Sequence, residues 1–320
     1  MFGFMEDYPK SQTEFEKAFG TEAQCWEYLV RLRWPDGFVC PRCQSRRSWK
    51  TRRSFLVCSD CQYQVSATAG TIFQDTHKPL GTWFRAMWWV TSQKNGASAL
   101  GLQRVLGLGS YRTAWAWLHK LRRAMVRPGW DRLTGRIEVD ETYWGGISEG
   151  HDGRQPGNKA LIAIAAQEDG NKIGRIRMRR IPNASIPTLE RFVQEVIEPG
   201  SVVHTDGWSG YGGLAKIGYV HEATNLKRSK VPSGEDLLPR VHRVVSLLKR
   251  WLMGTHQGAI SHAHLDYYLD EFTFRFNRRT SQYRGKLFYR LVQQAVNVQP
   301  APYATLIKHI RGRQPQKPNP

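Results

Sequence analysis

Four cysteines in two Cys-x-x-Cys pairs constrain the first quarter of the chain more than any other feature. Cys40 and Cys43 form the first pair, and Cys58 and Cys61 follow after fourteen intervening residues. Each pair turns tightly enough to direct two thiolates at one ion, and two such turns make a closed tetrahedral zinc site. Two redox-active pairs are the alternative, but the strand and helix context of redox folds is missing. The pattern predicts a small zinc-binding β-ribbon.

The fifth cysteine, Cys25, has no partner in this scheme. It lies in a predicted helix over residues 11–32, whose apolar residues include Phe15 and Trp26 and are expected to pack on the ribbon. We therefore predict a buried thiol. Five cysteines in 320 residues do not make a disulfide scaffold, which favours a reducing, cytosolic compartment.

The charge of the chain indicates a polyanionic partner. Lys and Arg number 47 against 27 Asp and Glu, a formal net charge of +20, and nucleic acid is the polyanion this favours. Hydrophobic residues make up 40% of the chain, enough for a folded protein of about two domains. The longest aliphatic run, 160–166, is far below the ~20 residues of a membrane helix. The mixed, acidic N-terminus predicts no signal peptide, so we expect a cytoplasmic, nucleoid-associated protein with no membrane partner.

A helical region over residues 76–127 follows the ribbon. Helices predicted over 97–106 and 111–125 are joined by a turn that contains Gly107, and Ser110 is a suitable N-cap for the second. This is a helix-turn-helix pattern. An ordinary helical hairpin with a solvated basic face is the alternative, and the excess of positive charge favours DNA. The second helix carries the cations predicted to contact DNA: Arg112, Lys120, Arg122 and Arg123.

From residue 135 onward, predicted strands alternate with a helix. Strands over 136–143, 159–167 and 172–180 read as a meander, and an amphipathic helix over 185–198 precedes a strand over 201–205. This order indicates a mixed sheet.

The remaining segments complete a multi-domain α+β or α/β prediction. A polar, mobile loop is predicted over 227–239, and a disordered basic tail ends the chain. Helices are predicted over 240–253, 262–277 and 286–295. The predicted domains are a helix plus zinc ribbon, a helix-turn-helix region, a mixed-sheet domain and a basic Pro-rich tail, over residues 1–75, 76–130, 131–300 and 301–320.

Two aspartates stand out by their position in predicted strands. Asp140 lies inside the apolar strand, and Asp206 ends the strand over 201–205. A carboxylate at the end of a buried strand is costly to desolvate unless a cation compensates it. Strand-end capping or pairing with arginine is the alternative. Because two such carboxylates occur in one basic chain, we favour a divalent-metal site for chemistry at phosphate.

The predicted metal site needs a third ligand, which we expect on a later helix or loop. Glu235 and Asp236 in the polar loop and Glu271 on a helix are acidic candidates. Position favours His242, which begins an amphipathic helix. Lys249 and Arg250 share its predicted stripe and are expected to contact DNA phosphates.

The motifs together resemble those of bacterial insertion-sequence transposases of the ISXO-like group, which carry an N-terminal zinc ribbon and a ribonuclease-H-like domain with a DDE acidic triad. The resemblance extends from about residue 15 to 295. It rests on the ribbon, the helical linker and the runs V-D-E-T-Y-W-G-G, H-T-D-G-W-S-G-Y, L-L-K-R-W-L-M-G-T-H and Y-L-D-E-F-T-F-R-F-N-R-R.

The resemblance implies a DNA transposase that binds terminal inverted repeats, cuts at the element ends and joins 3′-hydroxyls to target DNA. It implies Asp140 and Asp206 as catalytic metal ligands. His242 stands where the family commonly has Glu, with 35 residues between it and Asp206. Lys249 is implied to orient a phosphate. The expected cofactors are structural Zn²⁺ and catalytic Mg²⁺ or Mn²⁺, and the expected partners are double-stranded DNA and further copies of the chain.

Histidine at the third position leaves open whether the site is active. An imidazole brings one nitrogen donor and no negative charge; Mg²⁺ prefers oxygen, whereas Mn²⁺ accepts nitrogen more readily. An active Asp-Asp-His site is the favoured interpretation. A decayed, DNA-binding regulator and a host nuclease that cuts without joining are the alternatives. Glu141 is expected to point away from the metal, because neighbouring residues of a strand face opposite sides.

Overall fold

A computed structural model describes residues 7–126, 131–145, 159–224 and 237–308. The chain forms two compact units. The ribbon unit comprises residues 7–126 and 280–308, and the sheet unit comprises the described residues between 131 and 279. The predicted disordered tail, residues 311–320, and residues 227–236 of the predicted mobile loop lie outside the described residues.

The ribbon unit begins with two helices where the sequence predicted one. Helix α1 spans Gln12–Ala18 and helix α2 spans Glu22–Arg33. Thr21 separates them, because its side chain and that of Gln24 form a capping box that starts α2. The single helix predicted over 11–32 was therefore wrong at this point. Cys25 is fully buried, as predicted, and burial raises the pKa of its thiol to about 12.

A three-stranded antiparallel sheet follows. Strands β1 (Ser48–Lys50), β2 (Phe55–Cys58) and β3 (Gln64–Ser66) are ordered β1-β2-β3, with β2 in the centre. The small ribbon predicted from the cysteine spacing is confirmed.

Three helices complete the first part of the ribbon unit. Helix α3 spans Leu80–Ser92, α4 spans Ala99–Leu106 and α5 spans Tyr111–Ala124. Gly107 ends α4 in the left-handed conformation, with φ of 60°, which glycine adopts without strain. The Ser110 hydroxyl accepts the backbone N–H of Arg112 at 3.2 Å and caps α5, as the sequence predicted.

The sheet unit is built on a five-stranded mixed sheet. Strands β4 (Arg136–Trp144), β5 (Ala160–Asp169) and β6 (Lys172–Ile181) form the antiparallel meander. After helix α6 (Ile186–Val196), strand β7 (Val202–Thr205) pairs parallel to β4. An additional strand, β8, pairs parallel to β7 and was not predicted; it spans Val220–Ala223. The strand order β6-β5-β4-β7-β8 places β4 in the centre and confirms the mixed sheet.

Helices cover both faces of this sheet. Helix α6 packs its apolar side on the face that carries Ile137 and Val139. Helix α7 (Pro239–His256) contacts β4 and β5 from the other face, and α8 (Leu265–Phe276) packs on the edge strand β6. The centre of the sheet is therefore buried on both sides, and polar residues on β4 and α7 lie close to each other.

The last helices belong to the ribbon unit. Helix α9 spans Gly285–Ala295, α10 spans Tyr303–Lys308, and α9 packs against α3. Phe288 of α9 lies in an aromatic cluster that also holds Phe15, Phe84 and Trp88. Residues 280–308 therefore belong to the ribbon unit. None of the described helices is both long and apolar enough to cross a membrane.

Candidate active site and zinc centre

The four paired cysteines converge on one point. Their sulfur atoms all lie within 4.8 Å of one another. The Cys40–Cys61 and Cys43–Cys58 sulfur pairs are 3.6 and 3.5 Å apart. A tetrahedral ion with Zn–S bonds of ~2.3 Å requires sulfur atoms ~3.8 Å apart. The thiols present therefore fit one structural zinc ion.

The two cysteine turns share one backbone conformation. The residue after each pair, Gln44 or Gln62, has a positive φ of 63° or 57°. Its N–H donates to the carbonyl of the first cysteine of the pair, Cys40 or Cys58. The shortest contacts between sulfur atoms join the two motifs rather than the members of one pair. This geometry favours a single four-ligand site over two redox pairs.

The two predicted aspartates lie on or directly after two adjacent parallel strands. The ladder between β4 and β7 pairs Arg136 with Val202 and Glu138 with His204. Asp140 is two residues beyond Glu138 on β4, and Asp206 is two residues beyond His204, directly after the end of β7. The parallel ladder therefore carries both aspartates toward the same end of the sheet, and the contact of Asp140 with His242 of α7 shows that Asp140 faces the α7 side.

His242 joins this pair from α7. Its Nε2 lies 3.3 Å from Oδ2 of Asp140. The Asp140 side chain is 17% exposed and that of His242 47% exposed, so the pair opens to solvent on one side. An imidazole nitrogen beside a carboxylate oxygen offers two donors that suit a divalent cation such as Mn²⁺. Among the residues that the structure describes, only the cysteine cluster gathers three or more metal-type donors within 4.8 Å.

The stripe predicted on α7 is exposed. Val241, Val244 and Leu248 of α7 are buried, whereas His242, Lys249 and Arg250 are exposed. Lys249 and Arg250 are seven and eight residues after His242, so both cations lie two helical turns further along the same side of α7. They are thus accessible to phosphates that run along α7 from the Asp140–His242 pair.

Glu138 fixes where α7 begins, and the sequence analysis missed this role. Its side chain is 1% exposed and follows the same face of β4 as Asp140. The backbone N–H groups of Arg240 and Val241 donate to its Oε2 at 2.7 and 2.8 Å, and the Arg240 guanidinium donates to Oε1 at 3.0 Å. A strand carboxylate therefore caps α7 immediately before His242. Both oxygens are occupied, which excludes Glu138 as the missing acidic ligand in this conformation.

We expect the Glu138→Ala variant to lose about 3 kcal/mol of stability, because two N–H groups at the start of α7 lose their acceptor. The Arg240 guanidinium keeps Glu168 and the Gly170 carbonyl as partners. Hydrogen exchange of the first α7 amides and thermal melting measure this loss. Glu222→Ala is the matched control, since that carboxylate pairs with Arg136 but is 43% exposed, and exposed pairs contribute ~0–1 kcal/mol. Equal effects of both variants contradict the capping role.

A buried tyrosine lies beneath the carboxylates. Tyr211 is fully buried in the core between the sheet and α6. Burial and then the charges of Glu141, Asp140 and Asp206 raise its pKa well above the ordinary value. All three carboxylates are thus close to one phenol. Tyr143 packs on the α6 side of β4. Because side chains alternate along a strand, Glu141 faces this same α6 side, whereas Asp140 faces the α7 side.

Another acidic candidate lies elsewhere. Glu271 is fully buried on α8, where its Oε1 accepts the guanidinium of Arg275 at 2.9 Å. Helix α8 packs on β6, at the sheet edge two strands away from β4. Glu235 and Asp236 lie outside the described residues. His242 is thus the proposed ligand that the structure places against an aspartate.

The predicted DNA-contacting cations of α5 differ in accessibility. Arg112 is exposed, but Lys120 and Arg123 are only partly exposed. Burial lowers the pKa of Lys120, whose Nζ lies 6.0 Å from the centre of the Trp83 ring. Arg122 is 1% exposed, so a DNA phosphate cannot reach its guanidinium in this structure. The accessible part of the motif is the start of α5.

Comparison with known families identifies this combination of sites. Residues 132–277 match the ISXO2-like transposase domain, and residues 20–64 match the transposase zinc-ribbon domain. The chain carries an ISXO2-like transposase domain and a transposase zinc ribbon. The first match contains Asp140, Asp206 and His242, and the second contains the four zinc-site cysteines.

One relative of the chain belongs to a transposable element. A protein in the transposable element ISH50 of Halobacterium salinarum is 24% identical over 277 residues, which cover 81% of this chain and 92% of the relative. The similarity therefore extends over both units of the transposase, beyond the two family domains.

Proposed function

We propose that the chain is an active DNA transposase that binds the terminal inverted repeats of its own element, cuts at their ends and joins the freed 3′-hydroxyls to target DNA. The observation that carries this proposal is the 3.3 Å contact between His242 and Asp140, with Asp206 directly after the neighbouring strand β7. A divalent cation would draw these three side chains together and use them as its ligands for phosphate chemistry.

The residues of the site have separate tasks in strand joining. In that step the 3′-oxygen of the element end bonds to a target phosphorus while the target's own P–O3′ bond breaks. Divalent cations bound at such a site activate the attacking hydroxyl and stabilise the leaving oxygen. Asp140, Asp206 and His242 supply the ligands. Lys249 and Arg250 hold non-bridging phosphate oxygens on the exposed stripe of α7.

The ribbon unit supplies DNA binding in this proposal. Its helix-turn-helix presents Arg112 and Tyr111, both exposed at the start of α5, where this motif meets DNA, and Arg112 pairs with a phosphate. The net charge of +20 adds binding through phosphates without sequence preference. The protein acts in the cytoplasm on nucleoid DNA. Because joining pairs two element ends, we propose that it works as a homo-oligomer on DNA.

We expect end-binding to weaken steeply with salt and Arg112→Ala to reduce the slope of log affinity against log salt by about one. Fluorescence anisotropy with a duplex of the terminal inverted repeat, over a range of NaCl concentrations, measures both effects. Lys17→Ala, which removes an exposed cation of α1, is the control and should leave the slope unchanged. A flat salt response, or equal slopes for wild type and Arg112→Ala, contradicts this DNA surface.

A further inference from the structure

We propose that Trp208 is a stacking surface for an unpaired nucleobase of the DNA strand held at Asp206. This inference rests on the proposed function and adds a binding site to it. Trp208 is two residues beyond Asp206, after the turn at Gly207. It is 37% exposed, and no other large aromatic side chain among the described residues of the sheet unit is exposed.

Polar contacts fix the ring beside the aspartate. The backbone N–H of Trp208 donates to Oδ1 of Asp206 at 3.0 Å, which ties the start of the turn to the ligand. At the far end of the side chain, the indole N–H donates to the carbonyl of Ala184 at 3.1 Å. A side chain held at both ends loses little further freedom when it binds, which favours affinity.

The indole of Trp208 lies so close to Gly210 that the backbone there leaves no room for a side chain. A Cβ atom at Gly210 would lie 2.6 Å from the Ala184 carbonyl oxygen and 2.7 Å from the indole nitrogen. Both distances are shorter than real Cβ contacts, so a larger residue here would displace the indole or break its hydrogen bond. Gly210 and Ala184 thus accommodate one indole orientation while part of the ring stays exposed.

Chemistry points to a nucleobase as the occupant. The chain carries a net charge of +20, and the proposed function places a DNA phosphate at Asp206. An aromatic face stacks on any base without sequence preference, which suits a site that must act on both element ends. The base must be unpaired, because in a duplex the faces of a base are covered by the neighbouring bases and an aromatic ring cannot stack on them.

Fluorescence of 2-aminopurine tests the stacking directly. The probe is placed in turn at each of the three nucleotides on either side of the cleavage position in a duplex of the terminal inverted repeat. Trp208→Leu removes the aromatic face but keeps an apolar side chain, and Trp208→Phe keeps a ring but loses the indole N–H. Val220→Ala, at an exposed residue of β8, is the control. Melting temperatures check that each variant is folded.

We expect one probe position to be quenched by the wild type and by Val220→Ala but bright with Trp208→Leu. Joining from a pre-cut end should fall about 10- to 100-fold in Trp208→Leu, the loss typical of one stacked base, and less in Trp208→Phe. An abasic nucleotide at the quenched position should impair the wild type but add nothing to the Trp208→Leu defect.

Two results overturn the stacking role. One is identical 2-aminopurine emission for wild type and Trp208→Leu at every position, and the other is additive loss from the abasic nucleotide and the substitution. If the wild type binds and joins ends in either case, only the role of Trp208 is refuted. A wild type that fails to bind or join the ends refutes the proposed function as well.

Discussion

Replacing Asp206 by alanine should reduce joining of a pre-cut element end at least ~1,000-fold while end-binding stays close to that of the wild type. Asp206 directly follows β7, and its loss removes a carboxylate from the proposed metal site. A metal ligand set contributes several kcal/mol to phosphoryl transfer, and each 1.36 kcal/mol is a factor of ten in rate. Joined product on a gel, together with anisotropy for end-binding, separates chemistry from recognition.

Asp169→Ala is the matched control for this variant. Asp169 also ends a strand of the same sheet, β5, but it is exposed and lies outside the proposed site. Its joining rate should equal that of the wild type. Joining by Asp206→Ala at the rate of the Asp169→Ala control would exclude Asp206 from the catalytic site.

Loss of the zinc ion should unfold the ribbon around β2 and abolish end-binding. The strands are only three or four residues long, too short to form a stable sheet without additional support. Structural zinc sites supply ~10–16 kcal/mol of binding free energy, which is also folding free energy. Native mass spectrometry should find one zinc per chain in the wild type and none in Cys58→Ala. Hydrogen exchange of the β2 amides should become fast in that variant.

Cys25→Ala provides the comparison for the zinc experiment. Cys25 is as buried as Cys58 but belongs to α2 rather than to the sulfur cluster. The variant should keep its zinc and its protected β2 amides. Full zinc occupancy in Cys58→Ala, or zinc loss in Cys25→Ala, contradicts the assignment of the site.

The central strands were predictable because burial dictates their composition. Strand β5 is buried on both faces and reads as the continuous apolar run 160–166, and β4 and β6 were placed within one residue of their observed ends. Strand β8 was missed: it has four residues, Val220–Ala223, and only its pairing with β7 identifies it as a strand. A strand that is recognisable only by its pairing with a neighbouring strand cannot be predicted from local hydrophobic periodicity.

The zinc ligands were evident from spacing, whereas the capping role of Glu138 was not. Glu138 is 102 residues before Arg240 along the chain, and the sequence offers no local sign that a strand carboxylate caps a distant helix. His242 was favoured by its helix register, and its contact with Asp140 depends on that cap. The sequence therefore pointed to the ligand but not to what positions it.

Helix α5 is also more buried than its sequence suggested. Its basic residues suggested a solvated face, but Arg122 and His119 are enclosed within the ribbon unit. Long cations bury their aliphatic stems readily, so charge alone does not mark an exposed face. Helix α9 shows the same limit at a larger scale, because its packing on α3 brings together residues almost 200 positions apart.

The most direct test of the Asp-Asp-His site is joining of a pre-cut end by wild type, His242→Ala and His242→Glu, each with Mg²⁺ and with Mn²⁺. We expect joined product from the wild type, with Mn²⁺ favoured because the site offers a nitrogen donor. His242→Ala should yield none, and His242→Glu should shift the preference toward Mg²⁺. Equal joining by wild type and His242→Ala, or no joining by the wild type in either metal while end-binding persists, would contradict the account.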